Sequence, residues 1–135
     1  MQPDLIMQAM RLAAEQLQAK NFKAAHGHLR PLMPLLNDDP TFLKMFADAS
    51  LRSAQLTDAE AAMAALVQLE SANGELIAAH GDVLRRLGRY QDALPVLQRS
   101  LEMQPSRVEF IYNAGLCLLE MGQFVGAEGL FRRAL

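Results

Sequence analysis

The side chains able to do chemistry are few in this sequence, and their spacing suits none of the familiar reactions. His26 and His28 are the only histidines close together in the chain. A metal needs its ligands on one side, and on a helix two residues that are two apart point to different sides. His80 stands alone and reads as a half-buried packing residue. Cys117 lies between Leu116 and Leu118 with no histidine nearby in sequence to draw off its proton, so it reads as a small core residue, not a nucleophile. Asp38 and Asp39 directly precede Pro40, and a helix cap explains an acidic residue before a helix-starting proline. No Ser-His-Asp set, glycine-rich phosphate loop or zinc spacing is present. No catalytic residue, cofactor or metal site is therefore expected. Recognition remains: Arg85, Arg86 and Arg89 form the one local cluster of positive charge. Guanidinium forks match carboxylates, but arginines at a helix C-terminus also complement its dipole, and both readings fit here.

Composition narrows the choice further. The chain has 135 residues, enough to bury a real core, and 51% of them are hydrophobic while only 6% are aromatic. A net charge of -2 gives no reason to expect a nucleic acid partner, which would require a basic surface. One cysteine excludes an internal disulfide and fits a reducing compartment. The opening Met1-Gln2-Pro3-Asp4 lacks the basic and apolar regions of a signal peptide. No run approaches the ~20 apolar residues of a membrane span. A soluble, cytoplasmic protein is expected.

The elements that would position any binding residue emerge from a repeat. The stretch from His80 to Pro105 reads as two helices joined at Gly88, where glycine adopts the left-handed conformation without steric cost. The second carries Ala93, Leu94, Leu97 and Leu101 on one face and stops at Pro105. Shifts of 34 residues generate aligned columns. Small residues recur as Ala25, Ala59, Ala93 and Ala127, and again as Ala13, Ala47, Gly81 and Gly115. The turn column reads Phe22, Leu56, Tyr90, Phe124, and the column before it Lys20, Ala54, Gly88, Gly122. Large apolar residues recur as Leu29, Met63, Leu97 and Phe131. In period and residue types the chain resembles the tetratricopeptide repeat family. The last two units match well. The first two depart from the pattern, with Lys20 and Ala54 where glycine is usual and Asn37 and Ser71 where proline is usual.

The resemblance implies an all-α, right-handed α-solenoid of four stacked helix-turn-helix hairpins, about eight helices in all. Repeats fall at about 6–39, 40–73, 74–107 and 108–135, the last truncated, within a single domain over 1–135. Read in order, Asp4 can cap the first helix. Pro31 and Pro34 should distort the second, with Gly27 best able to tolerate the Pro31 ring. The acidic stretch Asn37-Asp38-Asp39 before Pro40 caps the third. Thr57 and Glu60 form a capping box for the fourth. Asn73-Gly74 and Ser106 mark later restarts, and Pro95 need not stop the sixth helix. At the end of the chain Phe124, Leu130, Phe131 and Leu135 would stay partly uncovered, whereas a solenoid usually ends on a polar face. Either more chain or a second chain, as in a homodimer through the C-terminal helix, would cover them.

In this family the first helix of each hairpin lines a groove that takes a peptide or helix. The matching positions are Met7, Met10, Ala14 and Leu17, then Lys44, Asp48, Leu51 and Arg52, then Ala78, Asp82, Arg85 and Arg86, then Tyr112, Asn113, Leu116 and Glu120. Lys44, Asp48, Arg52, Asp82, Arg85, Arg86, Tyr112 and Asn113 are the candidate contacts. The clamp for acidic chaperone tails would need lysines, asparagines and an arginine. One frame supplies Met10, Ala14, Met45, Glu75 and Ala79, and the next Lys44, Asp48, Ala79, Glu109 and Asn113, so that partner is not expected. The function implied is a non-catalytic protein–protein interaction scaffold. The alternatives are an N-terminal segment of a larger bacterial enzyme, such as a sulfotransferase or glycosyltransferase, or a secretion-type chaperone.

Overall fold

The computed structural model describes residues 2–135, which form helices and short connections with no strand among them. The helices fall into two compact units, Met1–Leu69 and Glu70–Leu135. In the first, α1 (Pro3–Gln18) packs on α2 (Phe22–Leu29), and α4 (Pro40–Arg52) packs on α5 (Leu56–Leu69) and on α2. Between α2 and α4 lie a 3₁₀ turn, Arg30–Leu32, and the single-turn α3, Met33–Leu36. In the second unit, α6 (Gly74–Arg86) packs on α7 (Tyr90–Met103), α7 on α8 (Val108–Glu120), and α8 on α9 (Phe124–Arg133).

The prolines account for the one irregular hairpin. Pro31 has no amide to donate, and the second helix gives way there to the 3₁₀ turn, whose Leu32 side chain is still fully buried. Expected distortion of this helix is therefore found, and it raises the helix count above eight. A Cβ built at Gly27 would meet nothing within 4 Å, so no close approach demands glycine there. Pro95 is carried inside α7, which stays continuous over 14 residues at the loss of one ladder hydrogen bond.

Two helices start on side-chain caps, and two expected caps are corrected. Asp39 accepts the Phe42 amide at 3.1 Å, and Asn73 accepts that of Leu76 at 3.2 Å. Asp4 is not the cap of α1. Gln2 holds that position, Pro3 opens the helix, and Asp4 lies in the first turn where its charge complements the dipole. α5 begins at Leu56, so Thr57 sits inside the first turn and not at the cap the capping box requires.

The glycine column has a backbone reason. Lys20, Ala54, Gly88 and Gly122 take φ of 62°, 59°, 79° and 80°, the left-handed conformation, at the four turns within the hairpins. Each turn closes the same way. The residue after each donates its amide to a carbonyl five back: Asn21 to Gln16, Gln55 to Ser50, Arg89 to Leu84 and Gln123 to Leu118, at 2.7–2.9 Å. Lys20 and Ala54 thus obey the same geometry as the glycines while carrying a Cβ that opposes it. Replacing Ala54 with glycine is expected to stabilise the protein by about 1 kcal/mol. A urea midpoint that falls instead of rising would count against this.

The small-residue and large-residue columns meet each other across a hairpin. A Cβ on Gly81 would lie 2.6 Å from Leu97 Cδ2, and one on Gly115 2.6 Å from Phe131 Cε1. The glycines are there because the facing side chains need the space. Around them Leu97, Leu101, Phe110, Ile111, Ala114 and Cys117 form the buried core of the second unit. A further column binds successive connections. Arg99 donates to the Ser71 carbonyl at 2.8 Å and Arg133 to the Pro105 carbonyl at 3.0 Å, and both donors and acceptors are 34 residues apart.

Candidate binding surface

In the second unit an ion-pair network links the first helices of the two hairpins. Asp82 and Arg85 share a face of α6, three residues apart, and the Arg85 Nη2 donates to Asp82 Oδ1 at 2.9 Å. The other terminal nitrogen reaches across to Glu120 on α8, so one guanidinium joins two neighbouring first helices. Glu120 also accepts from the Tyr90 hydroxyl, and that hydrogen bond pushes the Tyr90 pKa up. Burial works against the Arg85 charge, but the hydrogen bonds to Asp82 and Glu120 outweigh it and hold its pKa above the usual value. With a side chain only 17% exposed, Arg85 is a fixed strut between helices and not a free anion receptor.

Its neighbours differ. Arg86 is exposed, and so is Tyr112, at 53%. The Tyr112 ring rests against Phe131 at 5.8 Å with the planes tilted by 52°. Asn113 is half-buried beside it in sequence, and Ala78, also matched to the groove, is buried at 3% exposure. The accessible part of this surface is thus smaller than the sequence positions alone imply: Arg86, Tyr112, the edge of Asn113, and the carboxylate sides of Asp82 and Glu120.

In the first unit the candidates lie on α4. Asp48 accepts from Arg52 Nε at 2.8 Å, a pairing of i with i+4, and the Arg52 guanidinium lies 5.0 Å from the centre of the Phe22 ring on α2. Lys44 is exposed on the same helix. Met7, at 71% exposure, and Leu5, at 53%, leave an apolar stretch on α1.

One polar constellation went unseen in the sequence. His26 is buried, stacks on Phe46 at 5.6 Å, and its Nε2 lies 2.7 Å from Asp58 Oδ2, with Arg30 Nε at 3.5 Å from the same oxygen. Four elements of the first unit, α2, the 3₁₀ turn, α4 and α5, are joined there. Nothing in the spacing of 32 residues signals it, because a contact between side chains of different elements leaves no period in the sequence. His28 takes no part, and among the described residues no group of three or more His, Cys, Asp or Glu could hold a metal. Cys117 is fully buried with its Sγ 3.8 Å from the Tyr90 carbonyl, and burial pushes its thiol pKa up, away from the thiolate. No helix among the described residues is long and apolar enough to cross a membrane.

Four left-handed turns, small-against-large columns and paired arginine clasps all recur at one period, and residues 78–135 match the family model described as tetratricopeptide repeat. Those residues belong to the tetratricopeptide repeat family. The whole chain shares the fold, an all-α helical-repeat solenoid. It superposes on the solved structure of MamA MSR-1 with a TM-score of 0.85 at 15% identity, covering 99% of this chain and 78% of that one. MamA AMB-1 aligns with a TM-score of 0.82 at 15% identity over 96% of this chain and 70% of that one. MamA RS-1 gives 0.82 at 10% identity over 98% and 75%. No curated protein sequence matches the chain. At such identities the likeness fixes the fold of a tetratricopeptide array, and its binding properties must come from its own side chains.

Proposed function

We propose that this tetratricopeptide chain is a non-catalytic interaction scaffold that takes a peptide or helix of a partner protein on the first-helix face of its hairpins. The observation that carries the reading is the Asp82–Arg85–Glu120 strut. It holds α6 and α8 side by side and leaves Arg86 and Tyr112 exposed on those helices. A rigid support with an exposed guanidinium and an exposed aromatic ring is the composition of an anchor site. Arg86 supplies a fork for a carboxylate, Tyr112 an apolar plate, and Asn113 an amide able to hold an extended backbone. An acidic peptide with an apolar residue is the ligand this favours. In the first unit Lys44 and the Asp48–Arg52 pair provide charged contacts of the same kind.

The test is selection from a displayed peptide library on the purified protein, followed by affinity measurement of the enriched sequences. Acidic peptides should emerge, and Arg86→Glu combined with Tyr112→Ala should weaken them at least about tenfold while leaving the helical circular dichroism intact. Arg85→Glu, by contrast, should lower the melting temperature, since it places three carboxylates together. Enrichment of no peptide, or peptides indifferent to the double substitution, would overturn the reading.

A further inference from the structure

In the second unit, the two second helices border a cleft on the side away from Arg86 and Tyr112. It measures about 650 Å³, with Gln98, Leu101 and Glu102 of α7 on one wall, Leu130 and Arg133 of α9 on the other, and Leu118 of α8 between them. Leu118 is two residues from both Leu116 and Glu120, so it points away from the first-helix face that carries them. A further hairpin stacked on α9 would leave the cleft open. The period maps Leu130 and Arg133 onto Val96 and Arg99 of α7, which is followed by such a hairpin, and there Val96 is still half-buried and Arg99 still exposed. Three leucines from three helices thus reach a space that the repeat packing itself leaves unfilled.

The two walls carry opposite charges. Glu75, Asp82, Asp92, Glu109, Glu120 and Glu128 each pair with an arginine of this unit, whereas Glu102 engages none among the described residues. Across the cleft, Arg133 donates to the Pro105 carbonyl at 3.0 Å, a neutral partner that fixes its stem and leaves its charge unmatched. We infer that this cleft is a second docking site. It takes a leucine or phenylalanine side chain of a partner protein whose neighbouring residues place a lysine or arginine toward α7 and an aspartate or glutamate toward α9. The cleft is open to solvent along one side, which suits a side chain entering from a protein surface better than an enveloped small ligand. The apolar anchor supplies affinity, and the one charge on each wall sets the order of the flanking residues. None of these residues belongs to the first-helix face, so either site can fail without the other.

The experiment selects a displayed peptide library on the chain carrying Arg86→Glu and Tyr112→Ala, which disables the first-helix face. Peptides with a large apolar residue between a basic and an acidic one are expected. Gln98→Trp, at an exposed position on the α7 wall, fills the cleft and should weaken the enriched peptides at least about tenfold. Glu102→Arg makes both walls positive, and selection on it should lose the basic residue from the motif while keeping the apolar one. Circular dichroism verifies the fold of each variant. If the double variant does not fold, selection on the unaltered chain, sorted by loss of binding to Gln98→Trp, takes its place. If Gln98→Trp does not fold, the motif selected on Glu102→Arg decides. No enrichment overturns the proposal, and so do peptides indifferent to Gln98→Trp or a motif unchanged by Glu102→Arg. The first-helix reading is judged separately, by peptides that depend on Arg86 and Tyr112.

Discussion

Truncating Phe46 to alanine is expected to cost about 4 kcal/mol of stability, one of the largest losses available to a single substitution here. Phe46 is 1% exposed and sits in a stack, with Phe42 on one side at 5.6 Å and 16° and His26 on the other at 5.6 Å and 13°. Removing the ring leaves a cavity lined by groups that cannot collapse into it, because Phe42 is packed and His26 is tied to Asp58. Offset aromatic pairs add about 1 kcal/mol beyond area burial, and two would be lost. A domain's whole stability is roughly 5–15 kcal/mol, so the variant should be near its unfolding limit at physiological temperature. Urea unfolding followed by circular dichroism measures it. A loss below about 1 kcal/mol would mean that the stack is not packed as described.

Gly81→Val should cost about 3 kcal/mol, at the upper part of the range for overpacking. The new Cβ would lie 2.6 Å from Leu97 Cδ2 and 2.7 Å from Cγ, and the Leu97 backbone nitrogen at 3.3 Å prevents α7 from yielding far. Gly129→Val, made where nothing lies within 4 Å, is the control and should cost under about 1 kcal/mol. Combining Gly81→Ala with Leu97→Ala should be less harmful than the sum of the two, since the added methyl fills space the leucine vacates. Strict additivity would show that the two positions do not touch. This cycle tests the physical meaning of the repeat columns directly.

Those columns explain how much of the fold was legible. Gly81, Gly115, Leu97 and Phe131 recur at a fixed period because each hairpin solves the same packing problem, and a one-dimensional pattern records it. The left-handed turns were equally readable at Gly88 and Gly122. They were less so at Lys20 and Ala54, where the same φ is imposed by the closing hydrogen bonds against the residue's own preference. The break at Pro31 was visible because a missing amide is a local property. Whether Thr57 would be a cap was not, since a shift of one residue in the helix start decides it.

Function was legible in a narrower sense. The expectation that no catalytic set is present rested on spacing alone. The positions on the first-helix face could be enumerated, but their roles could not. Arg85 and Arg86 are adjacent in sequence and indistinguishable by composition. The fold turns one toward Glu120, where it becomes a strut, and leaves the other exposed. His26 on α2 and Asp58 on α5 meet at 2.7 Å, at a spacing that no period encodes. The sequence by itself determined the period, the hairpins and the close-packed columns, because these rest on local backbone limits and side-chain volumes that repeat. Only the tertiary structure decided which charges are spent on holding helices together and which remain for a partner, because that depends on the distance between side chains from different elements.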